Sequence, residues 1–459
     1  MLRTYRRLIL VALGLSAGFA ADSAPIIGPT RKLTVPEATV ATRALLEGRK
    51  ISDILGVTHV SGKYALTAKP FMIEGAEAVQ NLGGKVLKLW LYPIYANQYG
   101  WHSDWPKHLP DLESLAQTPY YEAVFKMRFH TYVLETAEFG MRDNFWKKGL
   151  SEKDRQKVHT QMYRLTRHLL TRYRGTGKTF VLQNWEADNV IKYALKDTDP
   201  SSWDLAYQGM IDWINARQAA VEQARREYGT DGVQVLHAFE VNFVPSLADA
   251  TAGKRYVKDK PLAVDNIVPK TRCDLYSLSS WETWSPGTED SLYERLRYLA
   301  SKAPHDGILG QDNLMLGEFG AHEDEFEKPR RNYPIYVGDP SDAAFYALHR
   351  MLNAALRAKV RYAIHWQLYD NDLRMGGKYE GKGLPPGVMA SADQCVGNWL
   401  IRPDGSRVPT YDYFKALFDE SPPLFADSLR TSYCLTLLIL PKSANDSGPI
   451  TPLEGVNRP

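Results

Sequence analysis

Short apolar runs alternate along most of the chain with segments whose apolar residues recur every three or four positions. Residues 53–60 read as a buried strand. A helix follows from Pro70, with Ile73, Ala76, Val79 and Leu82 on one face and Gly83-Gly84 at its end. Proline in the first turn and glycine beyond the last are natural helix boundaries, and one apolar face is what a helix lays on a sheet. Residues 85–91 then read as a second strand. The unit recurs, with strands predicted at 131–134, 179–184, 233–239, 274–279, 314–316 and 361–366, and helices at 152–173, 204–228, 291–301, 343–358 and from 411 to 418. Eight apolar strands with helical crossovers imply a parallel sheet covered on both faces. Closure into a (β/α)8 TIM barrel is the expected form, because no glycine-rich phosphate turn follows the first strand as an open dinucleotide-binding sheet would require.

The ends of the chain break this rhythm. Arg3, Arg6 and Arg7 precede an apolar run at 8–20, with small residues Gly18 and Ala20 before a plausible cut. That order is the export pattern, and the run is too short to span a bilayer. The expectation is a signal peptide at 1–20, a barrel domain at 21–420, and a secreted or periplasmic protein without stable membrane insertion. After residue 420, Pro422-Pro423 interrupts the last helix and an apolar run at 433–440 is again too short to span. This leaves 421–459 as an extension of unassigned role.

Charge and cysteine content narrow the partners. The chain carries 56 basic and 53 acidic residues, a formal charge of +3, and three of the basic residues lie in the signal. A near-neutral mature chain lacks the concentrated positive charge that nucleic-acid binding needs. Cys273, Cys395 and Cys434 are too few for a disulfide scaffold or a metal-ligand cluster, although export permits one bridge. No cofactor is expected.

Chemistry on such a barrel sits at the C-terminal ends of its strands. The fourth strand ends Leu182-Gln183-Asn184-Trp185-Glu186 and the seventh Leu314-Met315-Leu316-Gly317-Glu318. Strand alternation puts Leu182, Asn184 and Glu186 on one face, and Leu314, Leu316 and Glu318 on one face. If Leu182 and Leu314 face the interior, both glutamates point into the mouth. A carboxylate at an apolar strand tip is costly unless paired, so each glutamate is either a rim salt bridge or a catalytic group, and two such tips together favour catalysis. Lys88, in phase with Val86 and Trp90, either faces inward as a cation for a barrel carboxylate or snorkels to solvent. Glu135, Glu138, Glu240 and Glu282 are further strand-end carboxylates that could bind substrate. His237 and His365 have no second metal-type ligand beside them in the alternation, so no metal site is expected. Trp101, Trp105, Trp281 and Trp284 read either as sugar platforms or as caps over the barrel mouth.

These strand ends resemble clan A of the glycoside hydrolases, retaining enzymes on (β/α)8 barrels, over roughly residues 53–418. The resemblance implies that Glu186 is the acid/base, Glu318 the nucleophile, and a carbohydrate the substrate. It implies that a tyrosine of this strand hydrogen-bonds the nucleophile, Tyr276 being the nearest match where it is not simply a core tyrosine, and that Trp366, in Ile364-His365-Trp366-Gln367, floors the sugar where it does not pack in the core. Asn184, Tyr276, Trp281, Trp366, Lys88 and Glu240 are the expected substrate-binding set. The sequence departs from the clan in placing Trp185 between Asn184 and Glu186, where the clan has its asparagine directly before the glutamate. Retention requires the two carboxyl groups about 5 to 5.5 Å apart, one protonating the departing oxygen while the other attacks the anomeric carbon. The rival from another class is a barrel that binds carbohydrate without cutting it.

Overall fold

A computed structural model describes residues 32–142, 144–195, 201–246, 262–281, 288–327, 339–379 and 383–419. The expected signal peptide, the extension beyond 420, Cys434, Glu282 and Trp284 lie outside the described residues. The strands are β1 (Leu55–Thr58), β2 (Val86–Leu91), β3 (Thr131–Thr136), β4 (Lys178–Gln183), β5 (Val233–Val241), β6 (Leu275–Ser280), β7 (Leu314–Phe319) and β8 (Ala363–His365). Each pairs in parallel with the next, and β1 pairs with β8, so the sheet is a closed eight-stranded barrel. All eight predicted strands are present.

Helices between the strands form the outer layer, and their ends follow local chemistry. The helix Phe71–Leu82 starts after Pro70 and ends at Gly83, whose φ of 107° is a left-handed cap that disfavours side chains. Helix Glu152–Arg172 starts at Ser151, whose side chain accepts from the Asp154 amide, and Asp339 caps Pro340–Arg357 in the same way. Helices Val35–Ala44, Leu112–Ala116, Pro119–Lys126 and Ala187–Leu195 were not expected from the pattern. The first makes a buried polar contact to the barrel's later helices: Thr42 Oγ1 donates to Asn353 Oδ1 at 2.7 Å and lies 2.6 Å from the Tyr413 hydroxyl. Among the described residues no helix is long and apolar enough to cross a membrane.

Two apolar cores result. Val86, Val133, Val181, Leu236, Ala238, Leu275, Met315 and Ile364 fill the barrel, while Leu182, Tyr276, Leu314 and Leu316 join the larger core shared with the helices. This reverses the expected parity. Leu182 and Leu314 face outward, and Val181 and Met315 face the barrel axis. The physical reason is that both faces of a parallel strand are buried, so an apolar residue carries no information about which face it occupies.

Candidate active site

One step further along each strand from the apolar filling, the barrel interior turns polar. Side chains two residues apart share a face, so Val86 is followed inward by Lys88, Val133 by Glu135, Val181 by Gln183, Ala238 by Glu240, Leu275 by Ser277 and then Ser279. The contacts confirm the direction, since one of them crosses the barrel between β2 and β7, which are not neighbours. Lys88 Nζ on β2 lies 2.7 Å from Glu318 Oε1 on β7 and 3.0 Å from Glu135 Oε2 on β3. Lys88 and Glu135 are fully buried and Glu318 is 2% exposed.

Glu318 reaches this interior by an irregularity. In the β6–β7 pairing Leu278 faces Leu316 and Ser279 faces Glu318, so Gly317 is an extra residue in β7. A bulge of this kind shifts the alternation by one and re-aims the following side chain. Gly317 and Glu318 therefore both come to the inner side. The interior has no room for more at Gly317, where a Cβ would lie 2.1 Å from Ser277 Oγ and 2.2 Å from Glu240 Oε2.

Glu186 arrives by a different route. It follows the end of β4 and opens the helix Ala187–Leu195, its carbonyl accepting from the Val190 amide at 3.0 Å. Its carboxylate accepts from the Asn189 side-chain amide. Ser279 then joins the two glutamates, with Oγ 2.7 Å from Glu186 Oε1 and 3.2 Å from Glu318 Oε2. Those two contacts link the carboxylates through one hydroxyl oxygen. Trp281 Nε1 donates to the same Ser279 Oγ at 3.0 Å.

Electrostatics split the buried carboxyls. Burial works to lower Lys88, but the carboxylates of Glu318, Glu135 and Glu240 outweigh it and hold the ammonium charged. Burial pushes Glu135 up to about 7, with Lys88 opposing and Glu318 adding to the rise. Burial also pushes Glu240 well above the usual carboxylate range. Glu240 Oε2 accepts from Gln183 Nε2 at 2.6 Å and from Ser277 Oγ at 2.8 Å. Oxygens of Glu135, Glu240 and Glu318 converge within 4.8 Å, close enough to share a cation, and the Lys88 ammonium is the cation placed there. Glu318 thus touches the Lys88 ammonium directly, while burial raises the neighbouring carboxyls Glu135 and Glu240.

The expected substrate-binding residues divide. Lys88 faces inward and touches Glu318. Trp366 is 5% exposed, and its ring stands 6.3 Å from that of Trp281 at 77° and 5.9 Å from that of Trp90. Gly320 allows the Trp281 approach, because a Cβ there would come within 2.8 Å of that ring. The other three are placed otherwise. Tyr276 is buried in the outer core and its hydroxyl donates to the Thr271 carbonyl at 2.8 Å, so it does not hydrogen-bond Glu318. Asn184 acts as a clamp between strands, its Nδ2 donating to the Glu240 carbonyl at 3.2 Å and its Oδ1 accepting from the Glu240 amide at 3.0 Å. Glu240 is fully buried in the layer beneath the pair.

Other strand-end groups have partners away from the glutamate pair. Glu138 lies 3.5 Å from Arg217 and accepts from Trp213 Nε1 at 3.3 Å. Trp105 is a cap, packed on Tyr95, Tyr99 and Tyr120 with its indole nitrogen donating to the Tyr99 carbonyl at 2.8 Å. Trp101 Nε1 donates to the Gly62 carbonyl at 2.9 Å. His237 lies 3.7 Å from the Cys273 sulfur, and His365 packs between Phe319 and Phe414. A surface cavity of about 460 Å³ lined by Asn215, Glu222, Lys270 and Arg272 sits near the start of β6, the end of a barrel associated with stability rather than chemistry. Sequence reasoning missed Ser279. Its signal was present in the alternation, since Ser279 is in phase with Leu275 and Ser277.

No family model matches the sequence, and no curated protein matches it. Among solved structures the chain overlays beta-glucuronidase 2 of Bacteroides uniformis with 12% identity and a TM-score of 0.45, over 81% of this chain and 35% of that one. It thus spans about a third of that protein's length. It overlays a GH5_18 protein from Bifidobacterium longum subsp. infantis with 13% identity and a TM-score of 0.45, over 81% of this chain and 79% of that one. For the GH53 catalytic domain of Ignisphaera aggregans the values are 12% and 0.45, over 85% and 99% of the two chains. Likenesses this distant say nothing of chemistry.

Proposed function

We propose that the protein is a retaining glycoside hydrolase that cleaves a β-linked glycoside or polysaccharide, with Glu318 as nucleophile and Glu186 as acid/base. The observation that carries this reading is the pair itself: two buried carboxyls joined through one hydroxyl, one of them seated on a lysine ammonium. Lys88 stabilises the ionised form of Glu318, which a nucleophile requires. Glu186 stands across Ser279, placed to give a proton to the departing oxygen and later to activate water. The right-angled faces of Trp281 and Trp366 suit the apolar C–H faces of a sugar ring.

The two glutamates fail differently when removed, and this tests the reading. The mature protein would be screened on chromogenic β-glucosides, β-mannosides, β-galactosides and β-xylosides and on the matching polysaccharides. Glu318→Gln is expected to abolish turnover of whatever the wild type cleaves, because no other group can form the glycosyl-enzyme. Glu186→Ala is expected to keep its first step with an activated aryl glycoside, and added azide is expected to restore turnover with a β-glycosyl azide as product. Carbohydrate binding without turnover by the wild type would refute the reading, as would full activity in Glu318→Gln.

A further inference from the structure

The hydrogen-bond inventory of Ser279 bears on how one proton is shared between the two glutamates. A serine hydroxyl has one hydrogen to donate and two lone pairs to accept with. Trp281 Nε1 takes one lone pair, donating at 3.0 Å. One hydrogen and one lone pair remain for two carboxyls, at 2.7 Å from Glu186 and 3.2 Å from Glu318. With both carboxyls ionised, Ser279 can donate to only one. With both protonated, it can accept from only one. Every valence at Oγ is matched only when the pair holds a single proton, one carboxyl donating to Oγ and the other accepting from it.

We propose that Ser279 is a positioning residue whose hydroxyl turns with the negative charge between Glu318 and Glu186 and so holds the pair in its one-proton state. This rests on the glycoside-hydrolase reading above. In the free protein Lys88 sits on Glu318, so the charge lies there and Ser279 donates to Glu318 Oε2 while accepting from protonated Glu186. In the first step the Glu318 carboxylate forms the bond to the anomeric carbon, the bond from that carbon to the leaving oxygen breaks, and the Glu186 proton goes to that oxygen. Negative charge has then moved from Glu318, now an ester, to Glu186. The hydroxyl rotates to donate to Glu186 Oε1, the oxygen it already approaches at 2.7 Å. Hydrolysis of the ester reverses each change. Trp281 holds the oxygen in place throughout, because its indole can donate but not accept.

The charged and titratable groups around this pair come from every neighbouring element. Lys88 on β2 touches Glu318, and Glu135 on β3 and Glu240 on β5 lie beside it. Tyr193, on the helix that Glu186 opens, feels the Glu186 charge, and His322 packs on the Trp281 ring at 5.4 Å. None of these bridges both carboxyls, so their contributions persist when Ser279 is replaced.

The test compares wild type, Ser279→Ala and Ser279→Thr by two measurements. Carbon-13 NMR titration of the glutamate side-chain carboxyls, assigned with Glu186→Gln and Glu318→Gln, needs no substrate. The macroscopic pKa values of the pair are expected to move toward each other in Ser279→Ala by on the order of one pH unit each, since a charge-assisted hydrogen bond is lost at both ends of the window. Ser279→Thr keeps the hydroxyl and is expected to retain the wild-type values. The pH profile of kcat/KM on a glycoside with a poor leaving group is expected to narrow from both sides in Ser279→Ala. A folded Ser279→Ala protein with unmoved carboxyl titrations overturns the proposal, even if its activity falls. A wild type that turns over no glycoside while its titrations still converge on Ser279→Ala refutes the functional reading and leaves the shared proton standing.

Discussion

Glu135→Gln isolates what one surplus buried carboxyl costs the fold. Glu135 is fully buried, accepts from the Tyr92 hydroxyl at 2.8 Å and lies 3.0 Å from Lys88 Nζ. Its folded-state pKa is pushed up to about 7, against about 4.3 for an unfolded glutamate. A folded value above the unfolded one means that the native state keeps a proton the unfolded chain has released. The stability supplied by the neutral carboxyl is therefore complete below the unfolded value and is lost as pH rises toward 7. At 1.36 kcal/mol per pH unit the loss approaches about 3 kcal/mol. Glutamine has nearly the same shape, can accept from either partner and binds no proton in this range. The unfolding free energy of Glu135→Gln relative to wild type is expected to improve by about 3 kcal/mol between pH 4.5 and pH 8. Urea denaturation at half-unit intervals reads this from the midpoint and slope at each pH. A difference independent of pH would refute the reasoning, because it would mean that Glu135 is ionised in the native state throughout.

Two further substitutions test the walls of the site. Trp366 is 5% exposed, so its truncation to alanine carries the cost of any buried indole, about 3 to 5 kcal/mol, and says little of function. Trp366→Phe keeps an aromatic face, and if Trp366 floors the sugar it is expected to lower kcat/KM by about tenfold through a higher KM while the thermal midpoint moves little; unchanged kinetics would leave Trp366 a core residue. Gly317→Ala places a methyl on Ser277 and Glu240 and is expected to destabilise by about 1 to 3 kcal/mol and to displace Glu318, lowering activity beyond what the stability loss explains. Wild-type stability and turnover in Gly317→Ala would show that the bulge does not set the Glu318 position.

Much of the fold was legible because a parallel barrel repeats one strong signal eight times, and Pro70 or Gly83 marks its boundaries in residues whose backbone preferences are local. The inner and outer faces were not legible. Leu182 and Val181 are equally apolar, and nothing in their alternation says which looks at the axis. The polar residues were better guides. Lys88, Glu135, Gln183, Glu240 and Ser277 cannot lie against the helix layer without partners, and each falls two positions after an apolar residue of the barrel filling. Tyr276 was ambiguous for the opposite reason, and the core reading holds, since a tyrosine satisfies its hydroxyl with a nearby carbonyl as readily as with a carboxylate.

Glu186 and Glu318 come together by a route that the alternation did not predict, and the reason is physical. Both leave the regular ladder before reaching the site, Glu318 through the extra residue Gly317 and Glu186 by passing from strand to helix over Asn184 and Trp185. A strictly alternating β7 would place Glu318 among the apolar side chains of the outer layer, away from Lys88, where an unpaired carboxylate is costly. The bulge and the helix start are therefore part of the site in the same sense as the carboxylates. Trp185, the residue that breaks the resemblance to clan A, lies in that passage between Asn184, which ties β4 to β5, and Glu186, which opens the helix. Asn184 is used here as a strand clamp, and Ser279 is the polar group placed between the two glutamates. The backbone of β7 and the start of the helix after β4 carry the two carboxyls, whereas Ser279 acts on them only by hydrogen bonding, so replacing Ser279 leaves the elements that deliver them in place.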